Sequence, residues 1–153
     1  MGEITWAQLQ GMTVDEAYSI AEYGYSLFKE GRYHDARAIW EGLIICNPYD
    51  AYFHNMLGAT YHQLDMDEEA AEEYSTAIEL DEEHLHAYVN RGELLLQNGE
   101  FERAQADLRK AIELDPEGKS DASVRARSLA MATAQALETV KKLTGDTAKN
   151  SDS

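Results

Sequence analysis

The chain has 153 residues, 44% of them hydrophobic and 27% charged, which suits one globular domain with a real core. A formal net charge of −16 excludes nucleic acid and direct membrane binding to anionic lipid, since both need a basic face. A single cysteine, Cys46, excludes an internal disulfide and fits the reducing cytoplasm; no apolar run nears the roughly 18 residues of a bilayer span, and the N-terminal MGEITWAQLQ lacks a signal-peptide core.

Residues 1–14 form an N-terminal segment in which Ile4, Trp6 and Leu9 give residues 4–11 one apolar side, a short helix. Thr13-Val14-Asp15-Glu16 reads as a capping box that starts a helix running to about Glu30 and stopping at Gly31. A partner helix is expected over 33–46, ended by Asn47-Pro48 because the residue before proline disfavours the helical region. A second pair is expected over 50–64 and 67–80. A third covers 84–98, stopped by Gly99, and 101–114, stopped by Asp115-Pro116. Beyond Gly118, Leu129, Ala132, Ala136, Val140 and Leu143 recur at three- and four-residue steps, which predicts a capping helix over 119–143. Residues 144–153 are polar and read as a disordered tail. Charge is uneven along this order: residues 1–118 carry 7 basic and 25 acidic side chains, residues 119–153 carry 6 and 4. From Asp65 to Glu83 there are ten acids and no base, which reads as a solvated helix face.

The pairs repeat at a fixed spacing. Thirty-four residues separate Gly24, Gly58 and Gly92, and the same interval links Ala36, Ala70 and Ala104, as well as the bulky Trp40, Tyr74 and Leu108. Small residues at two slots and a large one at a third are the tetratricopeptide signature. The fold class is therefore all-α: a solenoid of three helix-turn-helix repeats over 15–116 with flanking N- and C-terminal helices. The glycines and alanines belong where paired helices approach closely, and Trp40, Tyr74 and Leu108 are expected to fill the space between neighbouring hairpins.

In such an array the first helix of each hairpin lines the inner face. The inward positions are Tyr18, Ala21, Tyr25 and Phe28, then Tyr52, Asn55, Ala59 and His62, then His86, Val89, Glu93 and Leu96. Aromatic walls with few charges suit an extended peptide with apolar anchors. An acidic C-terminal tail does not fit, because the slots Ala21, Tyr25, Met56, His86 and Asn90 offer no cation. His84 and His86 diverge and His54 and His62 lie two turns apart, so no metal is expected. Glu68, Glu69, Glu72 and Glu73 should face water, where nothing tunes them for acid–base work. With no nucleophile elbow, phosphate loop or CxxC, the chain reads as a binding module that needs no cofactor and is not an enzyme.

The blocks Phe28-Lys29-Glu30-Gly31-Arg32-Tyr33-His34-Asp35-Ala36, Tyr49-Asp50, Leu57-Gly58-Ala59 and Glu93-Leu94-Leu95-Leu96-Gln97-Asn98-Gly99-Glu100 resemble the SycD/LcrH family, the tetratricopeptide chaperones of type III secretion translocators. The resemblance spans roughly residues 15–115. Asp65 departs from it where glycine is usual, Tyr52 where a more polar residue is expected, and Trp40 where phenylalanine is common. It implies a client segment held in the concave groove through a Pro-x-Leu-x-x-Pro type motif. Tyr25, Phe28, Tyr52, Ala59, His62 and Leu96 would form its pockets, and Asn55, Gln63 and Gln97 would bond its backbone. It also makes Trp6 and Leu9 candidates for a homodimer interface. The alternative is a general tetratricopeptide scaffold that joins proteins in another bacterial assembly.

Overall fold

The structure, a computed structural model, describes the backbone of residues 11–150 and the side chains of 11–145. These residues form seven helices and no strand: α1 (Val14–Lys29), α2 (Tyr33–Cys46), α3 (Ala51–Gln63), α4 (Asp67–Leu80), α5 (Leu85–Gln97), α6 (Phe101–Leu114) and α7 (Asp121–Asn150). Trp6 and Leu9, and with them nearly all of the expected N-terminal helix, lie outside the described residues. The last helix starts at Asp121 and runs to Asn150, so residues 144–150, expected to be disordered, are helical. Among the described residues no helix is long and apolar enough to cross a membrane.

Helix ends follow local chemistry. Thr13 Oγ1 accepts the Glu16 N–H at 3.1 Å while Glu16 Oε2 accepts the Thr13 N–H at 2.9 Å, the reciprocal capping box that the sequence predicts. The three hairpin turns share one geometry, in which Arg32 N–H reaches Leu27 O, Met66 N–H reaches Tyr61 O, and Glu100 N–H reaches Leu95 O at 2.8–2.9 Å. That closure needs a left-handed residue, supplied by Gly31 and Gly99 at φ 77° and by Asp65 at φ 58°. Asp65 thus adopts the glycine conformation and bears the steric cost of a Cβ there.

The chain divides into two compact units, residues 1–84 and 85–153. In the first, α1 packs on α2, α2 on α3 and α3 on α4. Its core holds Ala21, Leu27, Ala36, Trp40, Leu43, Phe53, Met56 and Leu57. In the second, α5 packs on α6, and α7 lies against both. Ala87, Val89, Leu94, Leu108, Ala111 and Ala126 are fully buried there. The 34-residue step from Gly92 lands on that buried Ala126.

Each repeat glycine marks a point where a side chain of its partner helix fills the place of a Cβ. A Cβ on Gly58 would stand 2.7 Å from the Tyr74 ring and 3.2 Å from the Ala70 carbonyl oxygen. One on Gly24 would meet Ile39 at 2.8 Å and Trp40 at 3.1 Å, and one on Gly92 would meet Leu108 at 2.9 Å. This corrects one expectation. Tyr74 and Leu108 pack inside their own hairpins, over the glycine, because that is where the missing side chain leaves room. Trp40 does this and also meets Tyr52 of the next hairpin edge-on, at 5.8 Å between centroids.

A second correction concerns Glu73, which turns from open water toward His54 and is only partly exposed. The His54 ring, 7% exposed, donates from Nε2 to the Pro48 carbonyl at 2.7 Å and contacts Glu73 Oε2 through Nδ1 at 2.6 Å. A carbonyl only accepts, so Nε2 carries a proton, and an ionised Glu73 calls for a second proton on Nδ1. The Glu73 bond, then the Pro48 bond and the charges of Glu73 and Asp50, hold His54 above its ordinary value against the opposing effect of burial. The same 34-residue slot is Asp107 in the third repeat, where Arg91 grips both carboxylate oxygens at 2.7 Å.

Gly58→Ala should cost about 1–3 kcal/mol in urea unfolding, because the Tyr74 ring and the α4 backbone must both give way; an unaltered midpoint would show that the hairpin has slack. Since the folded-state pKa of His54 lies above its unfolded value of about 6.5, its contribution is complete below that pH and is lost as pH rises through the folded pKa. The stability difference between the parent chain and His54→Gln should therefore shrink from pH 6 toward alkaline pH. A difference that grows would contradict the imidazolium–carboxylate pair.

Candidate functional site

In the N-terminal unit, the expected inner positions fall into an exposed set and a packed set. Tyr18 and Tyr25 lie seven residues apart on one side of α1, 44% and 45% exposed. The Tyr18 ring stands 5.7 Å from Phe53, and its hydroxyl donates to Asp50 Oδ2 at 2.6 Å. Asp50 also caps α3, accepting the Tyr52 N–H at 2.9 Å, so one carboxylate fixes both the helix start and the Tyr18 ring. The hydrogen bond to Asp50 comes first among the effects that raise the Tyr18 pKa. Tyr52 is half-buried between Trp40 and Phe53; burial, and then its neighbour Tyr25, push its phenol up. Lys29 places its ammonium 5.5 Å over the Tyr25 ring.

The remaining positions of this unit are less available. Phe28 is half-buried and meets Tyr33 edge-on at 5.3 Å, so it belongs largely to the core. Asn55 is 4% exposed, Ala59 and His62 are half-buried, and Gln63 is exposed at the end of α3. A cavity of about 110 Å³ opens beside Tyr18, lined by Val14, Ala17, Cys46 and Phe53 among others. Cys46 is half-buried there, and burial pushes its thiol pKa up, as for an inert small hydrophobe.

In the C-terminal unit, α7 bears on the expected site. Val89 is fully buried and offers no wall to a ligand, whereas Leu96 is half-buried and Gln97 exposed. Glu93 is ion-paired with Arg125 of α7, whose guanidinium also donates from Nη1 to Asn90 Oδ1 at 3.3 Å. Counting cations only within the repeats missed this one; no spacing within α5 points to it, because it comes from the following helix. The start of α7 is fixed by Asp115, whose carboxylate accepts the N–H groups of Ser120 at 2.8 Å and Lys119 at 3.2 Å. Those bonds, Ser120's first, hold its pKa below the usual carboxylate range. The buried Ser123 hydroxyl adds a bond to the Asp115 carbonyl at 3.0 Å. Among the described residues no group of three His, Cys, Asp or Glu side chains converges as a metal site.

Two family models of the tetratricopeptide repeat match the chain, over residues 24–84 and 85–117. The low calcium response locus protein H of Yersinia pestis is 28% identical over 107 residues, which cover 70% of this chain and 62% of that protein. The alignment thus spans under two thirds of that relative's length. The type III secretion translocator chaperone SycD of Yersinia enterocolitica superimposes with a TM-score of 0.76 at 28% identity, covering 90% of this chain and 97% of that one. SycD in complex with a peptide of the translocator YopD matches with a TM-score of 0.72 at 26% identity, over 82% and 97% of the two chains.

Tyr18→Phe removes the hydroxyl that Asp50 accepts and leaves the ring packing on Phe53. It should cost about 0.5–1.5 kcal/mol of stability, measured by urea unfolding. A neutral effect would mean that water replaces the bond without loss.

Proposed function

The chain belongs to the tetratricopeptide-repeat family and is homologous to the SycD/LcrH chaperones, and we propose that it is a non-catalytic chaperone that holds a secreted, hydrophobic translocator soluble in the cytoplasm before type III secretion. The observation that carries this reading is the exposed aromatic face of the first helices, where Tyr18 and Tyr25 stand beside Tyr52, with Asp50 bonded to the Tyr18 hydroxyl and Lys29 over one face of Tyr25. Stacked repeats of this kind curve so that their first helices line a concave surface. Rigid phenol rings give large apolar contact at small entropic cost, and their hydroxyls accept or donate to a peptide backbone.

The client that suits this face is an extended, otherwise unstructured segment with apolar anchors, of the Pro-x-Leu-x-x-Pro type. Pre-set prolines reduce the entropy lost on ordering, and leucine supplies the buried area. In the N-terminal unit Tyr25, Tyr52, Ala59 and His62 form the pockets, with Gln63 available to backbone groups; in the C-terminal unit Leu96 and Gln97 take the same two roles. Phe28 serves mainly to hold Tyr33 and the α1 terminus in place. Masking the apolar segments of a translocator prevents its premature aggregation, and release needs no bond cleavage. SycD has been seen with a peptide of YopD, a translocator, which supports a client of the same class here. Pairing with a second copy through Trp6 and Leu9 belongs to the same reading.

A second reading, a general scaffold, draws on the edge of the first hairpin. Ile45 and Tyr49 are 57% and 80% exposed at slots where the later repeats carry Glu79 and Glu83, then Glu113 and Glu117. A scaffold that docks folded partners on this edge would tolerate loss of Tyr25.

Tyr25→Ala leaves the core untouched and should weaken binding of a labelled Pro-x-Leu-x-x-Pro peptide by about 1–2 kcal/mol, roughly 5- to 30-fold, in fluorescence polarisation. Equal affinity in the folded variant would move the site off the first helices.

A further inference from the structure

The polar cluster where α7 meets α5 has a geometry that structural capping alone does not require. The Arg125 side chain is 45% exposed, and it reaches back to Glu93 and Asn90, which stand on the α5 side expected to meet a ligand. A guanidinium carries five N–H donors and no acceptor. Two are engaged by Asn90 and Glu93, and the other three make no hydrogen bond among the described residues. The side chain is thus held by two anchors, partly exposed and with unused donors, which makes it pre-organised for an oxygen acceptor.

From this, and resting on the chaperone reading above, we infer that Arg125 is a client-binding residue contributed by the C-terminal helix: it donates to a backbone carbonyl of the extended segment that passes over α5. The chemistry of the cluster selects a carbonyl over a carboxylate. Glu93 already neutralises the guanidinium, and the −16 net charge of the chain repels an acidic segment. An extended peptide has no internal hydrogen bonds and presents one unpaired carbonyl per residue, so it can meet this fork wherever its apolar anchors set the register. The C-terminal helix therefore both covers the last hairpin and supplies a specificity group.

The test is fluorescence polarisation with a terminally blocked, fluorescein-labelled Pro-x-Leu-x-x-Pro peptide and its copies with Glu or Gln at the variable positions, on the full chain. Arg125→Ala should weaken the parent peptide roughly tenfold. The double variant Arg125→Ala/Glu93→Ala should be equally weak, which rules out an orphaned Glu93 as the cause. The Glu and Gln peptides should bind the parent chain with Glu no tighter than Gln. Unchanged or tighter binding by Arg125→Ala overturns the inference alone, as does recovery in the double variant or a preference for Glu. If the parent chain binds none of these peptides, the groove reading falls and this inference falls with it. Far-ultraviolet circular dichroism of each variant confirms that the helices are intact.

Discussion

The close approach of paired helices at Gly24, Gly58 and Gly92 is the constraint from which the rest follows. Each glycine leaves a slot, and the partner helix fills it with Ile39 and Trp40, with Tyr74, or with Leu108. Once a ring or a branched side chain occupies the slot, the two helices of a hairpin cannot rotate independently. The side of each first helix that points away from its partner is then fixed. Tyr18 and Tyr25 lie on that free side of α1 because Gly24 and Leu27 are committed to the core. Function in such a protein is what remains exposed after packing has been satisfied.

Polar contacts refine this arrangement where apolar ones leave room. The slot that is Ile39 in the first repeat is Glu73 in the second and Asp107 in the third. Ile39 packs on Gly24, whereas the two acids are gripped by His54 and Arg91 from the paired first helices. A buried acid costs desolvation energy unless it is paired, so each brings its own cation. The His54 ring also ties the Pro48 loop to α3, which makes the second hairpin the repeat with a titratable brace.

Much of the fold was legible because periodicity and stop signals are local. Capping by Thr13, breaks at Gly31 and Gly99, and the residues before the two prolines place helix ends within a residue or so of those observed. Asp65 was visible as an anomaly, and its left-handed backbone shows that the turn geometry prevails over side-chain preference. Long-range pairings were not legible. Nothing in the spacing of α4 shows that Glu73 turns inward to His54 while its neighbours Glu68, Glu69 and Glu72 face water. Nor does the α5 pattern show that Val89 is sealed and Glu93 paired from another helix. The helical face of the site was readable; which of its members stay exposed depends on contacts from elements far along the chain.

The client is proposed to lie on the first helices of the repeats. Residue-resolved NMR of the labelled protein, titrated with a Pro-x-Leu-x-x-Pro peptide, tests it directly. Backbone shift changes should concentrate in α1, α3 and α5 and around Tyr18, Tyr25, Tyr52 and Leu96, with α2, α4 and α6 nearly silent. Changes centred on the acidic α4 or on the Ile45–Tyr49 edge, with α1 unmoved, would contradict the account and point to a scaffold that works through its outer surfaces.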